Sequence, residues 1–180
     1  MITFQNYCVA DPDVLETPAM LLFKDILDHN IQSVCEMVGG GQNLIAHVKT
    51  HKSEAVVRKQ IEFGIDGFKC ATLKELTMVL QAGARKAILS YPQSQECKIE
   101  RLCKLCSSYP DAWIATIVSS PVHVDVLARV AARKEQSLRV MIDLDAGMQR
   151  TGIGFGPVFV NGGEYGLVSL IIQLLIQANI

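Results

Sequence analysis

The chain has 180 residues, of which 49% are apolar and 19% are charged. This balance supplies a sizeable hydrophobic core and excludes an intrinsically disordered chain. The chain contains seventeen Lys and Arg residues and eighteen Asp and Glu residues, so its net charge is −1. Such a chain has no excess of positive charge with which to neutralise the phosphates of a nucleic acid, which argues against a nucleic-acid-binding protein. The composition therefore favours small molecules or proteins as partners, in one domain or slightly more.

The N-terminal sequence MITFQNYC has neither the basic region nor the apolar segment of a secretory signal peptide. Cys103 and Cys106 form a CxxC motif, but no second cysteine pair or histidine lies near it in sequence to complete a zinc site. We therefore expect a cytoplasmic protein with free thiols and no metal site.

Residues 1–42 are expected to form a lead-in to the main pattern of the chain. TPAMLLF (17–23) predicts a strand, and KDILDHNIQSVCEMV (24–38) predicts a helix. The three glycines at positions 39–41 predict a loop.

From residue 43 onward, short β-rich runs alternate with helical patterns, which is typical of βα units around a parallel sheet. Ser53, Thr72 and Ser120 are candidate helix N-caps, Thr72 and Glu75 form a capping-box pattern, and Gly64 and Gly83 are candidate helix ends. The predicted strands lie at residues 43–50, 67–72, 86–91, 112–120 and 138–146.

The end of the chain, residues 157–180, is atypical because Glu164 is its last charged residue. Ten of the fifteen residues in GLVSLIIQLLIQANI (166–180) are apolar. Since about 20 apolar residues are needed to span a bilayer, we expect a fifth outer helix and no membrane span, although the segment has little of the polar face that such a helix needs.

Candidate catalytic residues cluster around the first predicted strand. Ile45, His47 and Lys49 share one face because side chains alternate along a strand, and His51 follows them. Ligands bind at the C-terminal ends of parallel strands in barrels and in doubly wound sheets. A desolvated lysine there is suited to Schiff-base chemistry; the alternative is a strand-end lysine that reaches solvent beside a basic loop.

Other polar positions have weaker patterns. Gly152, Gly154 and Gly156 have the spacing G-x-G-x-G, which departs from the dinucleotide-binding pattern. Asp143 and Asp145 share a strand face and either orient Arg150 or act as solvated or capping groups. His29 and His123 lie on predicted helices, where we expect structural roles.

Five segments keep a common order along the chain: TPAMLLFKDILDHNI, HVKTHKS, FKCATLKELTMVLQAG, AILSYP and MIDLDAGMQRTGIG. In this order they resemble the D-threonine aldolase and D-serine dehydratase family, which belongs to the alanine-racemase-like, fold-type III enzymes dependent on pyridoxal 5'-phosphate. The resemblance runs from about Thr17 to about Gly156. It implies an α/β fold of the (β/α)8 TIM-barrel type; since such a barrel takes about 250 residues, we expect only the first five βα units.

The resemblance also implies roles for individual residues. Lys49 matches the lysine that holds the cofactor as a Schiff base, and Arg150 matches the arginine near the cofactor's phenolic oxygen. His47 and His51 match the histidines that flank the lysine and are expected to line the site. The family usually has Arg-Pro before the first histidine, where this chain has Ile45-Ala46.

The implied function is that of a lyase that cleaves or dehydrates a small D-configured β-hydroxy amino acid, and the resemblance also implies association as a homodimer. Members of the family also hold a divalent metal, but its ligands lie in a later part of those enzymes, so none is expected in these 180 residues. Two alternatives stay open: a truncated or degenerate relative that at most binds pyridoxal phosphate, and a single-domain barrel of the pyridoxal-phosphate homeostasis kind.

Overall fold

The lead-in folds as a hairpin followed by a helix. The computed structural model describes residues 2–4, 7–154, 157–160 and 163–177. Strands β1 (Ile2–Phe4) and β2 (Tyr7–Val9) pair antiparallel, and helix α1 (Lys24–Met37) confirms the helix predicted at 24–38. The strand predicted at 17–23 is wrong, because this segment pairs with no other described segment and an isolated strand leaves its N–H and C=O groups without partners.

Five parallel strands form the central sheet and confirm the five predicted strands. They pair strictly in chain order. Each strand is shorter than its predicted range, because the chain leaves the sheet for a loop before that range ends. The strands are β3 (Ile45–His47), β4 (Gly67–Cys70), β5 (Lys86–Leu89), β6 (Trp113–Val118) and β7 (Arg139–Ile142).

A helix follows each of the first four strands of this sheet: α2 (Glu54–Glu62), α3 (Leu73–Gln81), α4 (Glu96–Ser108) and α5 (Pro121–Arg133). Three begin at the predicted caps, where a hydroxyl oxygen accepts the N–H group three residues later. The bonds join Ser53 to Val56 at 3.4 Å, Thr72 to Glu75 at 3.1 Å, and Ser120 to His123 at 3.4 Å. Gly64 and Gly83 follow α2 and α3 with φ values of 86° and 101°, which L residues rarely adopt.

The strand order distinguishes a barrel-type sheet from a doubly wound one. Crossovers between parallel strands are right-handed, so helices stay on one face of the sheet while the strand order does not reverse. The burial pattern agrees: the residues of β3 to β6 that face the helices are buried, and those of β7 are half-buried. The other face carries four exposed side chains, those of Ile45, Trp113, Arg139 and Met141, although Gly67, Ile88 and Ala115 on it are buried. The chain thus has an α/β fold with five strands of a partial barrel, and its core lies between the sheet and the helices.

The final described segment adds a hairpin and one more helix. Strands β8 (Pro157–Val160) and β9 (Gly163–Gly166) pair antiparallel, and α6 (Leu167–Gln177) packs against α5. Ile171 and Leu175 are buried. The helix expected in this apolar tail is present, and residues 178–180 lie outside the described residues. None of the described helices is both long and apolar enough to cross a bilayer.

The Ser120 cap offers a direct test of helix formation. Ser120→Ala should lower the free energy of unfolding by about 1 kcal/mol, because the His123 N–H group loses the Ser120 hydroxyl oxygen and keeps only the Ser120 backbone oxygen at 3.2 Å as an acceptor. Urea denaturation would measure the change. Ser108→Ala, at the exposed end of α4, is the matched control and should stay within about 0.5 kcal/mol of the parent. Equal effects of the two substitutions would show that the cap does not stabilise α5.

Candidate active site

The segment after β3 places Lys49 at the C-terminal edge of the sheet. The Val48 N–H group still donates to Lys69 O at 3.1 Å, but residues 48–51 form a turn that the Lys52 N–H group closes on Val48 O at 2.9 Å. Lys49 therefore lies in this turn. The strand predicted over residues 43–50 would have included Lys49, but β3 ends at His47. Its side chain is exposed and has no ion-pair partner among the described residues.

His47 and His51 flank Lys49 as neutral imidazoles. The Nδ1 atom of His47 accepts the Lys49 N–H group at 3.4 Å, and Nδ1 of His51 accepts the Ser53 N–H group at 3.1 Å. Burial lowers the pKa of both rings, and the Lys49 charge lowers the pKa of His47 further. Since Nδ1 accepts in each ring, the proton of the neutral form lies on Nε2.

The Nε2 atom of His51 is buried and has no hydrogen-bond partner in the described structure. A buried N–H group without an acceptor costs free energy. This donor is therefore available to a ligand that brings an acceptor to the edge of β3.

Glu75 is a site residue that the sequence identified only as part of a helix cap. Its carboxylate is 4% exposed. One oxygen accepts the Ala71 N–H group at 2.7 Å, in place of the Thr72 N–H group that a standard capping box would use, and the other lies 3.8 Å from Lys52 Nζ. Its negative charge opposes the effect of burial on the pKa of His51 and of His47.

Lys69 is a second site residue that the sequence pattern does not indicate. The register pairs it with His47 on the neighbouring strand, so both side chains lie on the sheet face that carries no helices. Lys69 is exposed, without an ion pair to any described residue, and its charge contributes to the lowered pKa of His47. Together with Lys49 and Lys52 it gives this edge three amines against the single carboxylate of Glu75, which suits an anionic ligand.

Arg150 lies at the same end of the sheet but beyond its fifth strand. Its loop is held by Asp145, whose Oδ1 atom accepts the N–H groups of Gly147 at 2.9 Å and Gln149 at 3.0 Å. Asp145 thus acts as a capping group, one of the two predicted roles. The Arg150 side chain is exposed and forms no bond to Lys49 or to either histidine.

Close backbone packing explains the first glycine of the pattern that follows Arg150, but not Gly154, where a Cβ atom would meet nothing within 4 Å. A Cβ atom on Gly152 would lie 2.6 Å from Asp145 N, so only glycine fits where the loop returns to the edge of the sheet. Gly156, the third glycine of the pattern, lies outside the described residues.

The remaining candidates have structural environments. His29 is exposed on α1, and Nδ1 of His123 accepts the Ser119 N–H group at 3.3 Å at the start of α5. Cys103 and Cys106 lie on α4, and burial raises the pKa of Cys106 to about 11, which keeps that thiol protonated. No group of three or more His, Cys, Asp or Glu side chains within the described ranges is placed to hold a metal ion.

The half-buried imidazole of His51, whose Nε2 atom is buried, predicts a pH dependence of stability. Burial holds the pKa of His51 in the folded chain below its ordinary value of 6.5. The contribution of the neutral ring to the free energy of unfolding is therefore complete above pH 6.5 and is lost as the pH drops through the folded pKa. Urea unfolding at pH 7.5 and pH 5 should show a smaller acid-induced loss for His51→Gln than for the parent. His29→Gln, on an exposed histidine, is the control and should behave like the parent. An equal response of both variants would contradict a half-buried, neutral His51.

Comparison with known proteins identifies the fold family. The model of the alanine racemase N-terminal domain matches residues 24–158, well over half of the chain. Alanine racemase from Xanthomonas campestris pv. campestris is 32% identical over 139 residues, covering 76% of this chain and 36% of that protein. D-threo-3-hydroxyaspartate dehydratase from Delftia sp. HT23 is 27% identical over 141 residues, covering 78% and 36% respectively.

Solved structures give the same result for the fold. The Delftia dehydratase superposes with a TM-score of 0.74 at 23% identity, covering 92% of this chain and 41% of that one. D-threonine aldolase from Filomicrobium marinum superposes with a TM-score of 0.69 at 23% identity, covering 79% and 38%. This chain spans little more than a third of the length of the curated relatives it matches. With its five-stranded sheet and the match over residues 24–158, the chain belongs to the alanine racemase N-terminal domain family.

Proposed function

We propose that the protein is a pyridoxal-phosphate-dependent lyase in which Lys49 carries the cofactor. Its substrate would be a small D-configured β-hydroxy amino acid, cleaved as by a D-threonine aldolase or dehydrated as by a D-serine dehydratase. The observation that carries the proposal is the exposed amine of Lys49, without an ion pair among the described residues, between two neutral imidazoles at the C-terminal edge of a parallel sheet.

The described residues fit this cofactor, which relatives in the family use. The unpartnered Nε2–H donor of His51 needs an acceptor, and the excess of amines at this edge favours an anionic group such as a phosphate or a carboxylate. Lys49 would hold the aldehyde carbon of the cofactor, and Arg150 would lie at its phenolic oxygen. When bound, pyridoxal phosphate supplies an electron sink for negative charge at the substrate Cα atom.

The chain's own side chains would divide the remaining work. Lys69, exposed and unpaired beside His47, is placed to bind a substrate carboxylate. His47 and His51 would donate Nε2–H hydrogen bonds to oxygen atoms of the bound molecules. Glu75 would hold the Lys49 turn through its contact with Lys52, and its buried charge would limit the excess of positive charge.

The names of two relatives support the substrate class. D-threonine aldolase and D-threo-3-hydroxyaspartate dehydratase are both named for D-amino acids with a hydroxyl group at Cβ. Alanine racemase is named for a different outcome at Cα. Racemisation is therefore the reaction against which the proposed lyase activity must be tested.

Covalent trapping tests the role of Lys49. The full chain, incubated with pyridoxal phosphate and reduced with borohydride, should gain one pyridoxyl phosphate group on the peptide that contains Lys49, as measured by mass spectrometry. Lys49→Ala should abolish this adduct, whereas Lys104→Ala, at an exposed position of α4, should leave it unchanged. An adduct that persists in Lys49→Ala would show that another lysine binds the cofactor.

Turnover assays test the reaction separately from cofactor binding. The loaded chain should release glycine and acetaldehyde from D-threonine, or pyruvate and ammonia from D-serine. The L-enantiomers should react at least about tenfold more slowly, which corresponds to 1.4 kcal/mol of discrimination. Loading without turnover would contradict the lyase and identify a cofactor-binding relative, and conversion of L-alanine to D-alanine would favour a racemase.

A further inference from the structure

A cleft between α3 and α4 lies apart from the residues proposed to bind the cofactor. Its volume is about 540 Å³, which is within the usual size range of small-molecule sites. The cleft opens at the C-terminal ends of β4 and β5. It is lined by Ala71, Thr72, Leu73, Lys74, Tyr91, Pro92, Gln93, Ser94, Gln95, Lys98 and Arg101, and it includes none of His47, Lys49, His51 or Arg150.

Three cations surround this cleft without a compensating acid. Lys74 comes from α3, and Lys98 and Arg101 come from α4; no Asp or Glu side chain is part of the lining. None of the three forms an ion pair with any residue that the structure describes. The cleft therefore concentrates positive charge in a chain whose net charge is −1.

The acidic residues of α4 are already paired with other partners. Glu96 accepts from Arg129 and Arg133 at 3.0 Å, and Glu100 accepts from Arg133 at 2.9 Å. These contacts direct both carboxylates toward α5. Lys98 and Arg101 thus form no ion pair with either of these carboxylates of α4.

The wall of the cleft has polar groups that contribute to binding. Gln93 is 8% exposed, and its amide donates to Tyr91 O at 2.6 Å, which fixes the loop between β5 and α4. Ser94 and Tyr91, both of which carry hydroxyl groups, also belong to the lining. A fixed polar wall with two lysines and one arginine suits a compact, doubly charged anion, because the planar guanidinium group can bind two oxygen atoms at once.

We propose that this cleft binds the phosphate group of a small phosphate-bearing molecule, at a site separate from that of Lys49. Lys74, Lys98 and Arg101 neutralise the phosphate, and the polar wall accommodates the rest of the molecule. The proposal does not depend on the proposed lyase activity.

Titration of the full chain with inorganic phosphate and with glycerol 3-phosphate tests the site. Saturable shifts of the backbone amide resonances of Thr72, Ser94 and Gln95 are expected in NMR spectra, and glycerol should cause none. Tighter binding of glycerol 3-phosphate would identify an ester as the occupant, whereas equal affinity would identify the phosphate group alone; both results support a phosphate site. Shifts that never saturate, or an absence of shifts at Thr72, Ser94 and Gln95, would overturn it.

Variants of the same helix, inside and outside the cleft, separate a built site from general electrostatic attraction. The double variant Lys98→Gln and Arg101→Gln should weaken phosphate binding at least about tenfold. Lys104→Gln removes one charge from the same helix outside the cleft and should change the affinity less than about twofold. Equal weakening in both proteins would refute specific binding.

Borohydride trapping distinguishes the cleft from the cofactor site. Lys49→Ala should retain phosphate binding, and the double variant should retain the pyridoxyl adduct on Lys49. Loss of that adduct in the correctly folded double variant, checked by circular dichroism, would assign the cleft to the cofactor and overturn a separate site. Failure of Lys49 trapping in the parent would bear only on the proposed function.

Discussion

The handedness of the βα crossovers is the constraint on which the rest of the structure depends. Because the five parallel strands follow one another in chain order, right-handed crossovers place the connecting helices on one face. The apolar residues of alternate strand positions then pack against those helices. The opposite face and the C-terminal strand ends stay accessible, so one topological rule both builds the core and exposes the side chains that carry chemistry.

Positive charge at the edge of β3 and β4 is partly offset by one buried carboxylate, that of Glu75. Glu75 would be costly to bury without partners, but it accepts the Ala71 N–H group and lies 3.8 Å from Lys52 Nζ. Lys52 has a φ value of 47°, which is uncommon for a residue with a side chain. The contact with Glu75 and the Lys52 N–H bond to Val48 O hold that conformation, and with it the turn that presents Lys49.

The features that the sequence predicted are those with local physical causes. Alternating apolar residues, hydroxyl caps and terminal glycines each act within a few residues, so the five strands and the starts of three helices could be predicted. The predicted strand at 17–23 failed because pairing depends on a neighbour that local pattern cannot supply. For the same reason, Lys69 and Glu75 could not be recognised as site residues from the sequence. Only the β3–β4 register and the start of α3 bring them beside the histidines.

The pairing of β3 with β4 also bears on Ile45-Ala46, where this chain departs from the Arg-Pro of the family that it resembles. Ile45 stands where an arginine is usual, and it faces Gly67 across the β3–β4 pair. The next pair on the same sheet face joins His47 to Lys69. Lys69 is therefore a cation on β4 that lies two positions nearer to the C-terminal strand ends than Ile45 does. Positive charge therefore remains on this face but comes from β4, and a lysine in that position binds an anion as a flexible point charge without the fixed fork of a guanidinium group.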